Sequence, residues 1–291
     1  MRESVLLSKI LLSAESWHKL FQYQIDKLEE VDKIFYRKLF NSHPKTGEEF
    51  FFSETGTVSI KLKLSMRRLI YWWNILHVNK SEMIYKVYKA QKLSPVGGDW
   101  IHLLDRDKQQ FGIHVSDEHI QTVSLYKFKQ FVKRKASELM IQYLLGLQKR
   151  HSKSKYLYVE DLEMSPYLLD SRFNKVEREM LFKLRSRTIS TKEIFPNAYL
   201  YNDMLCQLCK LFPCTQFHVL QCSSLVTSLI VDKSVKLDEK DVYGTVDQQL
   251  LFVKIYVKFW DLREEMLDNI KKQKNDDQSV RWLTPDAPVI R

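Results

Sequence analysis

Glycine and proline are scarce in this sequence, with 7 of each among 291 residues. They account for roughly 7% and 5% of an average protein, and β-sandwiches, barrels and propellers need them at their turns. Their scarcity excludes a turn-rich β-fold and predicts a mainly α-helical protein. The length suits about two domains of roughly 150 residues, and 44% apolar residues can supply each with a core.

Helical periodicity divides the chain near residue 155, because the polar tract 151–155 carries no apolar repeat. We predict a basic helical domain over 1–155, a smaller helical domain over 156–273 and a polar tail over 274–291, where Pro285 and Pro288 forbid helix. The predicted helices cover about 16–40, 57–78, 81–94, 99–111, 124–147, 174–187 and 245–270. In the first of these the predicted buried stripe is Leu20, Phe21, Leu28, Val31, Phe35 and Leu39.

Positive charge is in excess, with 46 Lys and Arg against 36 Asp and Glu and a formal charge of +10. This balance favours a polyanionic partner, RNA or DNA. Between residues 126 and 155 there are nine Lys or Arg and one Glu. The predicted phosphate contacts are Lys61, Lys63, Arg67, Arg68, Lys127, Lys129, Lys133, Arg134 and Lys135. The alternative is a solvated basic face without a ligand.

No segment reaches the roughly 18 uncharged apolar residues of a membrane span, so we expect an intracellular protein that does not bind membranes. The aromatic run Tyr71, Trp72 and Trp73 has helical spacing, which favours a core role over base stacking.

All four cysteines fall within 17 residues, in the pattern Cys206-x2-Cys209-x8-His218-x3-Cys222. A disulfide framework would spread its cysteines, whereas this spacing suits a tetrahedral zinc site. Four protein ligands leave no position for a reacting water, so the zinc is predicted to be structural. Two alternatives stay open: Cys214 replaces His218 as a ligand, or the cysteines are reduced core residues.

The sequence carries no recognisable catalytic motif. It has no Walker-type loop, Gly-x-Ser-x-Gly elbow or His-Glu-x-x-His pair. Its one Asp-Asp pair, Asp276 and Asp277, lies in the polar tail rather than at the end of an apolar strand. We therefore expect that this chain is not an enzyme by itself.

Four stretches resemble the carboxy-terminal part of non-LTR retrotransposon open reading frames, downstream of the reverse transcriptase palm. They read MRESVLLSKILLSAESWHKL followed by IDKLEEVDKIFYRKLF, then SETGTVSIKLKLSMRRLIYWWNIL, then SEMIYKVYKAQKLSPVGGDW, and KLRSRT ahead of the cysteines. Their order is similar to that family's thumb, connecting helical region and zinc-binding segment, and covers nearly the whole chain. The resemblance implies a thumb-like helical bundle followed by a smaller α-domain with a structural zinc knuckle at about 200–222.

Carried over residue by residue, the family's Cys-Cys-His-Cys ligands fall on Cys206, Cys209, His218 and Cys222. The departure is Phe217, where the family pattern has an acidic residue. The family's fingers and palm, with their Asp pair, would precede Met1. The resemblance therefore implies an accessory fragment of an RNA-directed DNA polymerase, or a degenerate or co-opted copy of one, in a retrotransposon polyprotein and in the nucleus.

Two functions follow from these observations. The first is a nucleic-acid-binding accessory region that grips RNA or DNA phosphates without catalysis. The second is an all-α, zinc-stabilised protein-interaction scaffold whose basic helices dock an acidic partner. Salt-dependent binding to nucleic acid separates the two.

Overall fold

The computed structural model of the chain describes residues 11–16, 21–44, 46–94, 99–150, 159, 161–189, 205–226 and 239–281, without the side chains of residues 15 and 274–281. Over these residues the protein is built from α-helices and short 3-10 turns, and its only β-pairing is two isolated bridges. The mainly α-helical fold class is therefore confirmed. The predicted boundary tract 151–155 and most of the first quoted stretch lie outside the described residues.

The chain divides into two compact units. Unit 1 comprises Met1–Leu39 and Gly47–Ser165, and unit 2 comprises Phe40–Thr46 and Pro166–Arg291. The short segment Phe40–Thr46 thus joins unit 2, although it lies within the first predicted domain. Its anchor is Phe40, whose ring stacks on that of Phe182 with centroids 4.1 Å apart.

Unit 1 is a bundle of helices arranged around one central helix. Its helices are α1 (Gln22–Leu39), α2 (Glu48–Thr55), α3 (Ile60–His77), α4 (Met83–Leu93), α5 (Trp100–Gln110), α6 (Asp117–Thr122) and α7 (Leu125–Arg150). Helix α3 contacts α1, α4, α5, α6 and α7. It can do so because apolar residues lie on several of its faces, as a helix surrounded by others requires.

The aromatic run on α3 belongs mainly to this core. Trp72 is fully buried, and its indole N–H donates to the Tyr88 hydroxyl of α4 at 3.2 Å. The indole N–H of Trp73 donates to the backbone carbonyl of Val123 at 2.9 Å. The core interpretation is confirmed for Trp72, and both indole N–H groups hold neighbouring segments against α3.

The predicted buried stripe of α1 is wrong in register. Phe21, Val31 and Leu39 are exposed, Leu28 and Phe35 are half-buried, and the fully buried residues are Asp32 and Tyr36. Leu20 lies outside the described residues. Tyr36 stacks on Phe51 of α2 with ring centroids 5.4 Å apart. The sequence pattern does not predict α2. The contact between Tyr36 and this helix favours a different buried face of α1.

Unit 2 is organised around its last helix. Its helices are α8 (Pro166–Leu169), α9 (Lys175–Arg185), α10 (Ser223–Val226) and α11 (Val246–Arg281), with 3-10 turns at His218–Leu220 and Glu239–Tyr243. Helix α11 contacts all of these elements. It continues past Ile270, where the sequence pattern predicts its end, through Asp276 and Asp277. Residues 282–291 lie outside the described residues.

Candidate functional site

A tight loop brings the first two cysteines together. The Cys206 N–H donates to the Phe212 carbonyl, and the Lys210 N–H donates to the Cys206 carbonyl, both at 2.8 Å. Leu205 and Pro213 form an isolated bridge at the base of this loop. Lys210 turns the chain with a φ of 57°, the left-handed conformation that side chains disfavour. The loop therefore has the geometry of a knuckle, with Cys206 and Cys209 facing the same centre.

A second short segment supplies the other two groups. His218 begins a 3-10 turn, and its backbone N–H donates to Thr215 Oγ1 at 3.1 Å. Cys222 directly precedes α10. The continuous helix that the sequence analysis considered after Pro213 does not form. The 3-10 turn and the start of α10 place the two side chains together instead.

The ligand atoms of Cys206, Cys209, His218 and Cys222 all lie within 4.8 Å of one another. The Sγ atoms of Cys206 and Cys222 are 3.9 Å apart, and Cys209 Sγ is 3.3 Å from His218 Nε2. A tetrahedral zinc with Zn–S near 2.3 Å and Zn–N near 2.0 Å gives edges of about 3.8 Å and about 3.5 Å. The cluster could therefore hold a metal ion.

Backbone donors are aimed at the cysteine sulfurs. The amides of Leu208 and Cys209 point at Cys206 Sγ, and those of Leu211 and Phe212 point at Cys209 Sγ. Burial acts to raise the pKa of Cys209, but these amides and the neighbouring thiols hold it below its ordinary value. Donors that favour a thiolate favour metal binding, because the thiolate is the ligand.

Two other groups of the cluster titrate differently. The pKa of Cys206 is raised, first by a hydrogen bond with Cys214 and then by burial. A divalent cation among the four groups would reverse that shift, because coordination deprotonates a thiol outright. Burial lowers the pKa of His218, and the Arg263 charge lowers it further, against an opposing effect of Cys214. The imidazole is then neutral near pH 7, the form that binds a metal.

Cys214 is close to the cluster but is not one of the four groups that lie together. It is buried, and Arg263 Nη2 donates to its Sγ at 3.6 Å. Its interaction with Cys206 places it beside the cluster. Cys214 therefore contacts both the arginine and Cys206, while His218 is the fourth member of the group whose ligand atoms lie together.

Arg263 is a residue that the sequence analysis missed. It is 3% exposed on α11, pairs with Glu264 and lies over the Trp260 ring at 4.6 Å. Three thiolates and a neutral histidine around a divalent ion carry one net negative charge, and a buried guanidinium nearby offsets it. The sequence feature that could have indicated Arg263 is its helical spacing from the aromatic residues Tyr256 and Trp260, which places the three on one face of α11.

The cluster lies within the apolar core of unit 2. Cys206, Cys214 and Cys222 are buried in the same core as Leu184 of α9 and Tyr256 of α11. His218 is 7% exposed. A metal held there would join the knuckle to the core and have little access to solvent or substrate.

The predicted phosphate contacts on α3 lie in different environments. Lys61 is exposed and Lys63 is half-buried. The guanidinium of Arg67 donates to the backbone carbonyl of Leu11. Arg68 is 5% exposed and forms an ion pair with Asp107, which also accepts from the Ser65 hydroxyl at 3.0 Å. The assignment of Arg68 to phosphate binding is therefore corrected, because its charge is paired inside unit 1.

The predicted contacts on α7 lie along its first half, with Lys129 and Lys133 on one face of the helix and Lys127 about 160° around it from Lys129. Lys127, Lys129, Lys133 and Arg134 are exposed, and Lys135 is half-buried. Glu138 pairs with Lys135 at 2.7 Å and with Arg134 at 3.6 Å. Among the residues that the structure describes, Lys127, Lys129 and Lys133 have no ion-pair partner. These three lysines are hereafter the α7 lysine row.

Fold and site together define a helical protein with a Cys3His group that could hold a metal ion. No family model, no curated protein and no solved structure matches the chain. None of the helices among the described residues is both long and apolar enough to cross a membrane.

Proposed function

We propose that this chain is a nucleic-acid-binding accessory region, similar to the thumb, connecting helices and zinc segment of a non-LTR retrotransposon reverse transcriptase. In this role the chain binds RNA or DNA through phosphates and leaves polymerisation to another part of such a polyprotein. The role places the protein in the nucleus. The observation that carries the proposal is the α7 lysine row.

The positive charges of the α7 lysine row destabilise helix α7. No acidic residue lies in the first turn of α7, where the helix dipole favours one, and Lys127 lies there instead. Lys129 and Lys133 are four residues apart, a spacing at which like charges destabilise a helix by about 0.2–0.5 kcal/mol. Helix formation thus gives no reason for the row, whereas a polyanionic ligand does.

The cluster of three cysteines and His218 supports the likeness to a zinc segment. We infer that it binds zinc, because three thiolates and an imidazole with edges near 3.9 Å and 3.3 Å are a donor set that zinc prefers. We assign it a structural role, since its four ligands are mostly buried. The resemblance to the retrotransposon zinc segment implies the same Cys-Cys-His-Cys ligands.

Binding across a salt series tests the proposal. The variant changes Lys127, Lys129 and Lys133 to glutamine, and the control makes the same change at Lys38, Lys80 and Lys86, three exposed lysines of unit 1. Each phosphate contact contributes about 0.9 to the slope of log K against log salt on duplex DNA and about 0.7 on single strands. We expect the α7 variant to reduce the slope by about 2 to 3 and the control variant to leave it close to the wild-type value.

An equal reduction by both variants would mean that only net charge matters and would remove α7 as the site. No measurable binding by the wild-type chain at low salt would reject the nucleic-acid function altogether. Zinc content measured on the same sample should be about one per chain. A metal-free protein with full thermal stability would reject the structural zinc.

A protein-interaction scaffold is the second candidate, and α4 favours it. Met83 and Val87 lie one turn apart on this helix and are 73% and 46% exposed, and Leu93 at its end is 84% exposed. Apolar side chains aligned on one exposed helix face are typical of a helix-docking surface. Salt-insensitive binding of an amphipathic partner helix, lost in Met83→Glu, would support this candidate over the first.

A further inference from the structure

An exposed tyrosine stands at the start of the α7 lysine row. Tyr126 is 72% exposed and is the second residue of α7, next to Lys127. Lys129 lies one turn further along, and Lys133 about two turns. Among the described residues Tyr126 has no ring partner and no hydrogen-bond partner. Its ring contributes to neither core of the chain.

A second aromatic group lies at the entrance to the same helix. The His77 ring stacks on Trp73 with centroids 3.5 Å apart. Its Nδ1 and Nε2 atoms lie 2.7 Å and 3.1 Å from the carbonyls of Trp73 and Gln121, and the nitrogen that carries the proton donates to one of them. His77 is nevertheless exposed. The ring is therefore fixed in orientation, and its face is the part that a ligand could use.

We propose that the α7 surface binds single-stranded nucleic acid, with phosphates on the lysine row and a base stacked on Tyr126. The inference deepens the proposed function and rests on it. The structure puts an unpartnered ring on the same helix face as Lys129 and Lys133, which lie one and two turns away. Single strands can offer a base face to such a ring, whereas the bases of a duplex are already stacked on each other.

A nucleic-acid duplex or an acidic protein segment would use the lysines but not the ring of Tyr126. A duplex would contact the lysines through its phosphates and could use the hydroxyl of Tyr126 but not the face of its ring. An acidic protein segment would likewise pair with the lysines through its carboxylates, and this pairing does not require an exposed aromatic ring beside them. Only a ligand that alternates phosphates with exposed planar bases matches both features.

The test compares Tyr126→Ala, Tyr126→Phe and Tyr23→Ala with the wild-type chain. Tyr23 is the control, because it is 58% exposed in the same unit but lies on α1, where its ring already stacks on Phe21. The probes are a short oligothymidylate and a hairpin duplex with the same number of phosphates. Circular dichroism and thermal melting confirm that each variant is folded.

We expect Tyr126→Ala to weaken oligothymidylate binding about 5- to 160-fold, the range for loss of one base–aromatic stack, and to change duplex binding less than twofold. Tyr126→Phe should keep most of the affinity, because it keeps the ring. Tyr23→Ala should match wild type.

Equal affinity of Tyr126→Ala and wild type for oligothymidylate, in a protein whose α7 lysine variant has lost binding, would overturn this inference and leave the proposed function intact. Equal losses on both probes would also overturn it, because they would indicate a general effect on the surface. If the wild type binds neither probe, the proposed function itself fails.

Discussion

At the scale of single residues, the open choice is whether His218 or Cys214 is the fourth ligand of the candidate metal site in unit 2. His218 Nε2 is 3.3 Å from Cys209 Sγ, and Cys214 instead contacts Arg263. A zinc site contributes on the order of 10 kcal/mol to the folding of small zinc domains, so removal of a ligand should have a large effect.

We therefore expect Cys206→Ser and His218→Ala to lose zinc and cooperative melting of unit 2, whereas Cys214→Ser keeps about one zinc per chain. The measurement is zinc content by mass spectrometry together with thermal melting. Zinc retained by His218→Ala and lost by Cys214→Ser would instead establish the all-cysteine site. Cooperative melting retained in Cys206→Ser would show that the metal is not structural.

The four ligands could be predicted because their chemistry is local in sequence: four groups within 17 residues carry the spacing of a knuckle. Arg68 shows the opposite case. It has the same helical neighbourhood as exposed Lys61, and its environment depends on Asp107, which lies 39 residues away. No local pattern reveals such a partner, because the register of α3 against α5 is set by packing of the whole bundle.

At the scale of elements, a buried polar network joins α4 to α6. The Tyr88 hydroxyl donates to Asp117 Oδ2 at 2.8 Å, and Lys92 Nζ pairs with the same oxygen at 2.7 Å. Burial acts to raise the pKa of Asp117, but these two bonds lower it below its ordinary 3.8. A carboxylate with a depressed pKa stabilises the fold above its unfolded-state pKa and stops doing so as the pH falls through the folded-state value.

Asp117→Asn should lower the free energy of unfolding at pH 7 by about 1.5–3 kcal/mol, the range for a hydrogen bond to a charged group. The difference from wild type should shrink as the pH falls below about 4 towards the lowered folded-state pKa of Asp117, because the unfolded chain binds the proton first and the folded carboxylate only at lower pH. Urea unfolding across pH 2 to 7 measures this. Asp105→Asn is the control, since Asp105 is exposed and should show no such convergence. A constant difference at every pH would contradict the assignment.

Helix boundaries followed local signals better than helix faces did. Asp99 and Asn174 accept from the amides of His102 and Glu177, and the helices that they cap begin at the next residue, close to where the sequence placed them. The buried face of α1 could not be predicted in the same way. Apolar residues lie around much of this helix, and contact with α2 at Tyr36 and Phe51 decides the outcome.

At the scale of the whole molecule, the chain divides into two compact units. Unit 1 is a helical bundle whose central helix, α3, contacts most of its other helices. The core of unit 2 includes three of the cysteines, packed with residues of α9 and α11. If the metal is structural, its removal should act on unit 2 and leave unit 1 folded.

Chelation tests this division. With a strong zinc chelator we expect the amides of α9 and of α11 between Val246 and Ile270 to lose protection from hydrogen exchange, because the metal no longer joins the knuckle to the core. The amides of α3 should keep their protection. Exchange followed by mass spectrometry resolves the two units in one sample, and re-addition of zinc is the control for reversibility. Loss of protection in α3 to the same extent would show that the two units unfold together, and unchanged protection in α11 would show that the cluster contributes nothing to stability.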